Sequence, residues 1–167
     1  MKFYYWYFDS KISSAQDDSE KLFKEGIDRG EAGVVDWKCM EAKPKILLIE
    51  DEELIAKAYK EGLERGGLEV MIALDGELGL KMVKEIRPDL VLLDLVLPGM
   101  DGFTVLAELK ADKEVMEIPV VILTVSGGGS TMAQAKKLGA DDYLVKTDYS
   151  MKDVVERVRF RLGMSGE

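Results

Sequence analysis

From Lys45 onward the chain alternates short apolar runs with longer amphipathic stretches, and few architectures satisfy that rhythm. Ile46 to Ile49, Val70 to Ala73, Leu90 to Leu93, Val120 to Leu123 and Tyr143 to Val145 are short, rich in strand formers and bounded by turn or polar residues. Apolar runs without alternation suit strands covered on both faces, the condition of a parallel sheet with crossover helices. The stretches between them carry helical stripes. Leu54, Ile55, Ala58, Tyr59 and Leu63 recur before Gly66-Gly67, and Leu78, Met82, Val83 and Ile86 before Pro88. Phe103, Leu106 and Leu109 make a third stripe, Met132, Ala135 and Leu138 a fourth after the glycine run 127–129, and Val154, Val155, Val158 and Leu162 a last one. Arg157, Arg159 and Arg161 fall in its final turn, where cations are favoured.

Five strands alternating with five helices, joined by right-handed crossovers, predict an α/β protein. The expected form is a flavodoxin-like (βα)5 doubly wound parallel sheet with strand order 2-1-3-4-5 and a small N-terminal appendage.

The 167 residues suffice for one full domain plus that appendage. A net charge of -9 argues against a nucleic-acid surface, which needs clustered Lys and Arg. Cys39 is the single cysteine and histidine is absent, so disulfide frameworks and most zinc or triad chemistries are excluded and catalysis would rest on carboxylates. No apolar run is long enough to span a bilayer, and Phe3 to Phe8 is too short for a signal-peptide core. A cytoplasmic protein without a membrane partner is expected.

Residues 1–43 differ in composition from 44–167 and hold eight of the thirteen aromatics. Phe3 to Phe8 has strand propensity, Ser14 with Asp17 resembles a helix start, Leu22, Phe23 and Ile27 form a short stripe, and Val34 to Trp37 suits a second strand. So many aromatics call for cover, from this segment itself, from the main domain or from a partner. An aromatic start and the stretch Ile27 to Trp37 give a faint likeness to GYF-type modules, without their glycine-proline-phenylalanine-like core.

The chemistry gathers where the strands end. Glu50 and Asp51 follow the first strand, Asp94 the third, Thr124 ends the fourth and Lys146 the fifth. Open α/β sheets bind ligands at this carboxyl edge. Each residue alone has an ordinary reading, Asp51 as a helix cap, Thr124 as a strand former, Lys146 as a solvated charge. Together, three converging carboxylates repel one another unless a cation sits among them, and a hard divalent ion, most simply Mg²⁺, resolves the conflict. One carboxylate is then free to act as a nucleophile, with Lys146 and Thr124 as the charge and hydroxyl that phosphoryl transfer requires.

From Lys45 to about Gly163 the chain resembles the receiver domain of two-component response regulators. The resemblance rests on "ILLIEDEE" (Ile46 to Glu53), "LVLLDLVLPGMDGF" (Leu90 to Phe103), "VVILTVS" (Val120 to Ser126) and "GADDYLVK" (Gly139 to Lys146), in this order and spacing. It implies Asp94 as phospho-acceptor, Asp51 and the backbone carbonyl of Val96 as Mg²⁺ ligands with Asp94, and Glu50 acting on the metal through water. It implies Thr124 and Tyr143 as a switch pair that reshapes the face of the fourth helix, fifth strand and fifth helix. Two positions depart from the family. Val125 stands where a small residue, commonly Ala, is usual, so slower access for small phosphodonors is expected. Thr147 stands where a cis-joined proline is common.

The expected function is a single-domain response regulator, phosphorylated on Asp94 by a histidine kinase or phosphotransfer protein. With no output domain after Gly163, its output is expected to be docking to another protein. Residues 1–43 would serve as an adaptor, a homodimerisation element or a cover. Two other readings stay open: a Mg²⁺-dependent phosphohydrolase, and a pseudo-receiver scaffold that never carries phosphate.

Overall fold

The computed structural model describes residues 42–164. The readings made for Phe3 to Phe8, Ser14, Leu22 to Ile27, Val34 to Trp37, the GYF-like stretch and Cys39 lie outside the described residues. Five parallel strands, β1 (Lys45–Ile49), β2 (Glu69–Ala73), β3 (Leu90–Leu93), β4 (Val120–Thr124) and β5 (Asp142–Val145), form one sheet in the order β2-β1-β3-β4-β5. Each is followed by a helix: α1 (Glu53–Arg65), α2 (Gly76–Ile86), α3 (Gly102–Ala111), α4 (Gly129–Lys137) and α5 (Met151–Arg161). This is the flavodoxin-like order the alternation predicts.

The sheet explains the apolar runs. Ile46, Leu48, Leu90, Leu92, Val121, Leu123 and Leu144 face one way, against Ala56 and Leu63 of α1 and Val154 and Val158 of α5. Leu47, Ile49, Val91, Leu93, Val120 and Ile122 face the other, against Val83 of α2, Val105, Leu106 and Leu109 of α3, and Ala135 of α4. With both faces covered there is no solvent side, and hence no alternation of apolar with polar residues in β1 and β3.

The structure corrects two stripes. In α1 the buried positions are Ala56, Gly62 and Leu63, while Leu54 is 83% exposed. Glycine sets this face: a Cβ at Gly62 would collide with the Met151 side chain, and one at Gly66 with Val155, so the two bare positions let α5 pack closely on α1. In α2 the buried line is Gly76, Gly79 and Val83, with the Ile49 side chain filling the space a Cβ on Gly79 would need, and Leu78 is 39% exposed.

Local signals set the helix ends. Asp75 and Asp101 accept hydrogen bonds from backbone N–H groups of the first turns of α2 and α3, and Ser150 with Asp153 forms a capping box on α5. Gly67, at φ 85°, carries the chain from α1 into Leu68 in a conformation that favours glycine. None of the described peptide bonds is cis, and the loop after β5 is turned by Asp148 N–H donating to the Val145 carbonyl at 2.9 Å.

Two leucines that look alike in the sequence therefore differ in the fold. Leu92→Ala removes a fully buried side chain and is expected to lower unfolding free energy by about 2–5 kcal/mol, whereas Leu54→Ala should stay within roughly 0.5 kcal/mol of the parent. Urea unfolding of both variants checks the pair.

Candidate functional site

The ladder hydrogen bonds continue past the strand ends and fix the backbone of the edge residues. Glu50 N–H donates to the Ala73 carbonyl at 3.0 Å, Asp94 N–H to the Ile49 carbonyl at 3.0 Å, and Lys146 N–H to the Thr124 carbonyl at 2.8 Å. Three chemical groups from β1, β3 and β5 are thus held by the sheet itself. Their side chains meet: the Lys146 ammonium lies 2.5 Å from Glu50 Oε2 and 2.5 Å from Asp94 Oδ2. All three are buried, with Glu50 1% and Asp94 4% exposed. The cation between these two carboxylates is Lys146, so part of the charge conflict foreseen in the sequence is settled within the chain.

Asp94 Oδ1 accepts the backbone N–H of Val96 at 3.0 Å, which fixes the rotation of the carboxylate. Asp51 is half-buried beside Glu50. Thr124 is fully buried, and its Oγ1 has the Ser126 N–H as a distant partner at 3.4 Å. Tyr143 is half-buried on β5 and its hydroxyl donates to the Ser126 carbonyl at 2.5 Å. Thr124 and Tyr143 do not touch through a hydrogen bond; Ser126 joins them, one by its N–H and the other by its carbonyl.

Burial pushes the Glu50 carboxyl above its ordinary value, and the Lys146 hydrogen bond and charge only partly oppose this. For Lys146, burial works to lower the ammonium, but the hydrogen bonds and charges of Asp94 and Glu50 outweigh it and the group ends above its ordinary range. The Glu50 Oε1 atom is buried with no hydrogen-bond partner. A bare carboxylate oxygen in a low-dielectric setting is costly. That orphan, in a donor set made only of oxygens (Glu50, Asp51, Asp94 and the Val96 carbonyl), fits a hard divalent cation. Among the described residues no three carboxylates form a ready-made cage.

Two positions escaped the sequence reading. Gly102 opens α3 directly over the end of β3: a Cβ there would overlap the Asp94 carbonyl oxygen and lie 2.5 Å from the Leu95 Cα. Its only sequence signal is the Asp101-Gly102 pair, which reads as an ordinary turn. Ser126 carries no signal, since it contributes only backbone groups to the link between Thr124 and Tyr143.

A family model of the response regulator receiver domain matches residues 46–159. The chain belongs to that family. Among curated proteins it is 40% identical over 116 residues to the DNA-binding dual master transcriptional regulator RpaA of Synechocystis, covering 70% of this chain and 48% of that protein. It is 39% identical over 120 residues to the DNA-binding response regulator MtrA of Mycolicibacterium paratuberculosis, covering 72% and 52%. Among solved structures, the Mn²⁺-bound form of response regulator Rcp1 is 31% identical with a TM-score of 0.66, over 74% of this chain and 97% of that one. The chain spans about half the length of these curated relatives.

The comparisons correct one expectation. A chain without a nucleic-acid partner was expected from its net charge, and relatives named as DNA-binding overturn that. Net charge was the wrong measure: nucleic-acid binding depends on a local cluster of basic groups, and a sum taken over the whole chain says nothing about such a cluster. Among the described residues, no helix is long and apolar enough to cross a membrane.

Glu50 and Gly102 give two predictions. Because the Glu50 value is raised in the fold, its share of stability is fully present below about pH 4.5, its ordinary value, and is lost as pH rises through the folded value. Without divalent metal, Glu50→Gln is expected to melt above the parent at neutral pH, and the difference should vanish as pH falls below that ordinary value. Thermal melts in EDTA across pH check it. Gly102→Ala should cost about 1–3 kcal/mol through overpacking against the β3 backbone, read by urea unfolding.

Proposed function

We propose that this chain is a phosphorylation-controlled receiver that accepts a phosphoryl group on Asp94. The observation that carries the reading is the buried Asp94 carboxylate, oriented by the Val96 N–H and held 2.5 Å from the Lys146 ammonium at the edge of a parallel sheet. An Asp94 oxygen attacks phosphorus, the bond from phosphorus to the donor breaks, and an acyl phosphate forms on the aspartate. Lys146 leaves the Asp94 carboxylate for a phosphoryl oxygen, keeping one charge-assisted hydrogen bond throughout. The Thr124 hydroxyl, held only at 3.4 Å by Ser126, is free to turn and donate to another phosphoryl oxygen.

Asp51, Asp94 and the Val96 carbonyl would hold Mg²⁺, with Glu50 acting through water. When bound, the ion supplies positive charge that offsets the phosphoryl oxygens. In this reading the chain catalyses only its own phosphorylation and dephosphorylation.

Movement of the Thr124 hydroxyl draws on the 124–126 segment, and Tyr143 is tied to the same segment at the Ser126 carbonyl. A charge event at Asp94 thereby reaches β5 and the surface of α4, β5 and α5. The output is a change in affinity at that surface. Likeness to RpaA and MtrA supports a DNA-directed output under its control; a receiver working alone by docking to another protein is the alternative. We assign the receiver to residues 44–167, treat residues 1–43 as a separate aromatic-rich segment, and assign the protein to the cytoplasm.

Intact mass after exposure to acetyl phosphate or phosphoramidate with Mg²⁺ tests the reading. A phosphoryl-sized gain is expected in the parent and absent in Asp94→Ala; an equal gain in both, or none in either with phosphoramidate, would remove it.

A further inference from the structure

Among the described residues, β2 is an outer strand of the sheet, paired with β1 on one side only. Its backbone groups alternate between the two sides. Glu69 N–H donates to the Pro44 carbonyl at 2.9 Å and the Ala73 carbonyl accepts the Glu50 N–H at 3.0 Å, so Glu69, Met71 and Ala73 turn toward β1 while Val70 and Ile72 turn outward. From Val70 to Leu74 the sequence is apolar without a break, with no charge and no proline. A strand edge of that kind is a template for pairing with another chain. One side chain stands on it. The Lys60 ammonium, reaching from α1, donates to the outward carbonyl of Val70 at 2.8 Å and lies 3.4 Å from the Glu64 carboxylate, one turn along the same helix. Among the described residues this is the only hydrogen bond on the outer side of β2.

We propose that Lys60 guards the β2 edge against pairing with a second copy of this chain. Two copies joined edge to edge about a two-fold axis would run their β2 strands antiparallel, with the outward N–H and carbonyl groups of Val70 and Ile72 forming the ladder. The guard opposes this in two ways. It holds the Val70 carbonyl that an incoming N–H would use, and its stem lies in the path of the second strand. Symmetry also brings the two ammonium groups to one seam, where like charges repel and lose water. The contact with Glu64 keeps the ammonium over the edge while both side chains remain partly in water. The sheet has a second end at β5, and a closed β2 end keeps association away from the side that plays no part in the site. The guard itself does not depend on phosphorylation.

Sedimentation velocity of the full chain over a concentration series compares the parent with Lys60→Met and Lys57→Ala. Lys60→Met keeps a hydrocarbon stem and removes the cation, and it is expected to self-associate at least about tenfold more tightly than the parent. Lys57, on the same helix, pairs with Glu53 and makes no hydrogen bond to β2, so Lys57→Ala should match the parent. Amide hydrogen exchange locates the contact: in Lys60→Met, protection of the Val70 and Ile72 amides is expected to rise with concentration. Should Lys60→Met melt well below the parent, Lys60→Gln is measured in its place with the same expectation. Equal self-association in the parent and the Lys60 variant would overturn the guard. An equal gain in Lys57→Ala would trace the effect to net charge and overturn it too, as would tighter association with no added protection at Val70 and Ile72, which would put the contact on another face.

Discussion

Two carboxylates and one ammonium, buried together at the end of a parallel sheet, are the constraint on which the rest of this domain depends. Lys146 lies at hydrogen-bonding distance from both Glu50 and Asp94. Removing Lys146 would leave two uncompensated carboxylates in a nearly dry place, whereas removing one carboxylate would leave a matched ion pair. The arrangement holds because none of the three is on a flexible arm of backbone. The ladder that pairs β1 with β2, β3 with β1 and β5 with β4 continues through Glu50, Asp94 and Lys146 before the chain turns away. The apolar runs thus deliver charged groups to fixed points as well as filling the core.

Much of this was legible in the sequence because parallel sheets leave a strong pattern. Runs such as Leu90 to Leu93 are apolar throughout since both faces are covered, and the first residue to break the run is the one at the edge. Asp94 could be found for that reason. The pairing of Lys146 with Glu50 could not, because which carboxylate a flexible ammonium chooses depends on side-chain reach and not on strand order. The stripe of α1 was misread at Leu54 because spacing alone does not say which of two adjacent faces meets the sheet. That choice was made by Gly62 and Gly66, whose missing Cβ atoms admit Met151 and Val155. Ser126 and Gly102 were invisible for a related reason: each acts through backbone, or through the absence of a side chain.

The reading of charge failed differently. A net charge of -9 describes the sum of the chain, whereas recognition of nucleic acid is a property of a patch. The relatives named as DNA-binding share this receiver while extending to about twice the matched length. In the proposed scheme the domain supplies a switch, and the binding chemistry it governs need leave no trace in the switch itself. What the switch needs is a mechanical path. Thr124, Ser126 and Tyr143 supply one, linking the end of β4 to β5 by two hydrogen bonds. α4, in which Ala135 is the sole buried residue, is well suited to respond.

Amide NMR spectra of the parent and of Asp94→Ala, each titrated with beryllofluoride in the presence of Mg²⁺, follow the coupling of the edge to the far surface residue by residue. The expected result is a set of shifts in the parent that begins at Asp94, Thr124 and Lys146, passes through Ser126 and Tyr143, and extends into α4 and the exposed side of β5 and α5, with none in Asp94→Ala. Shifts confined to the edge residues would mean that the site binds the analogue without moving the face, and the switch would then have no output.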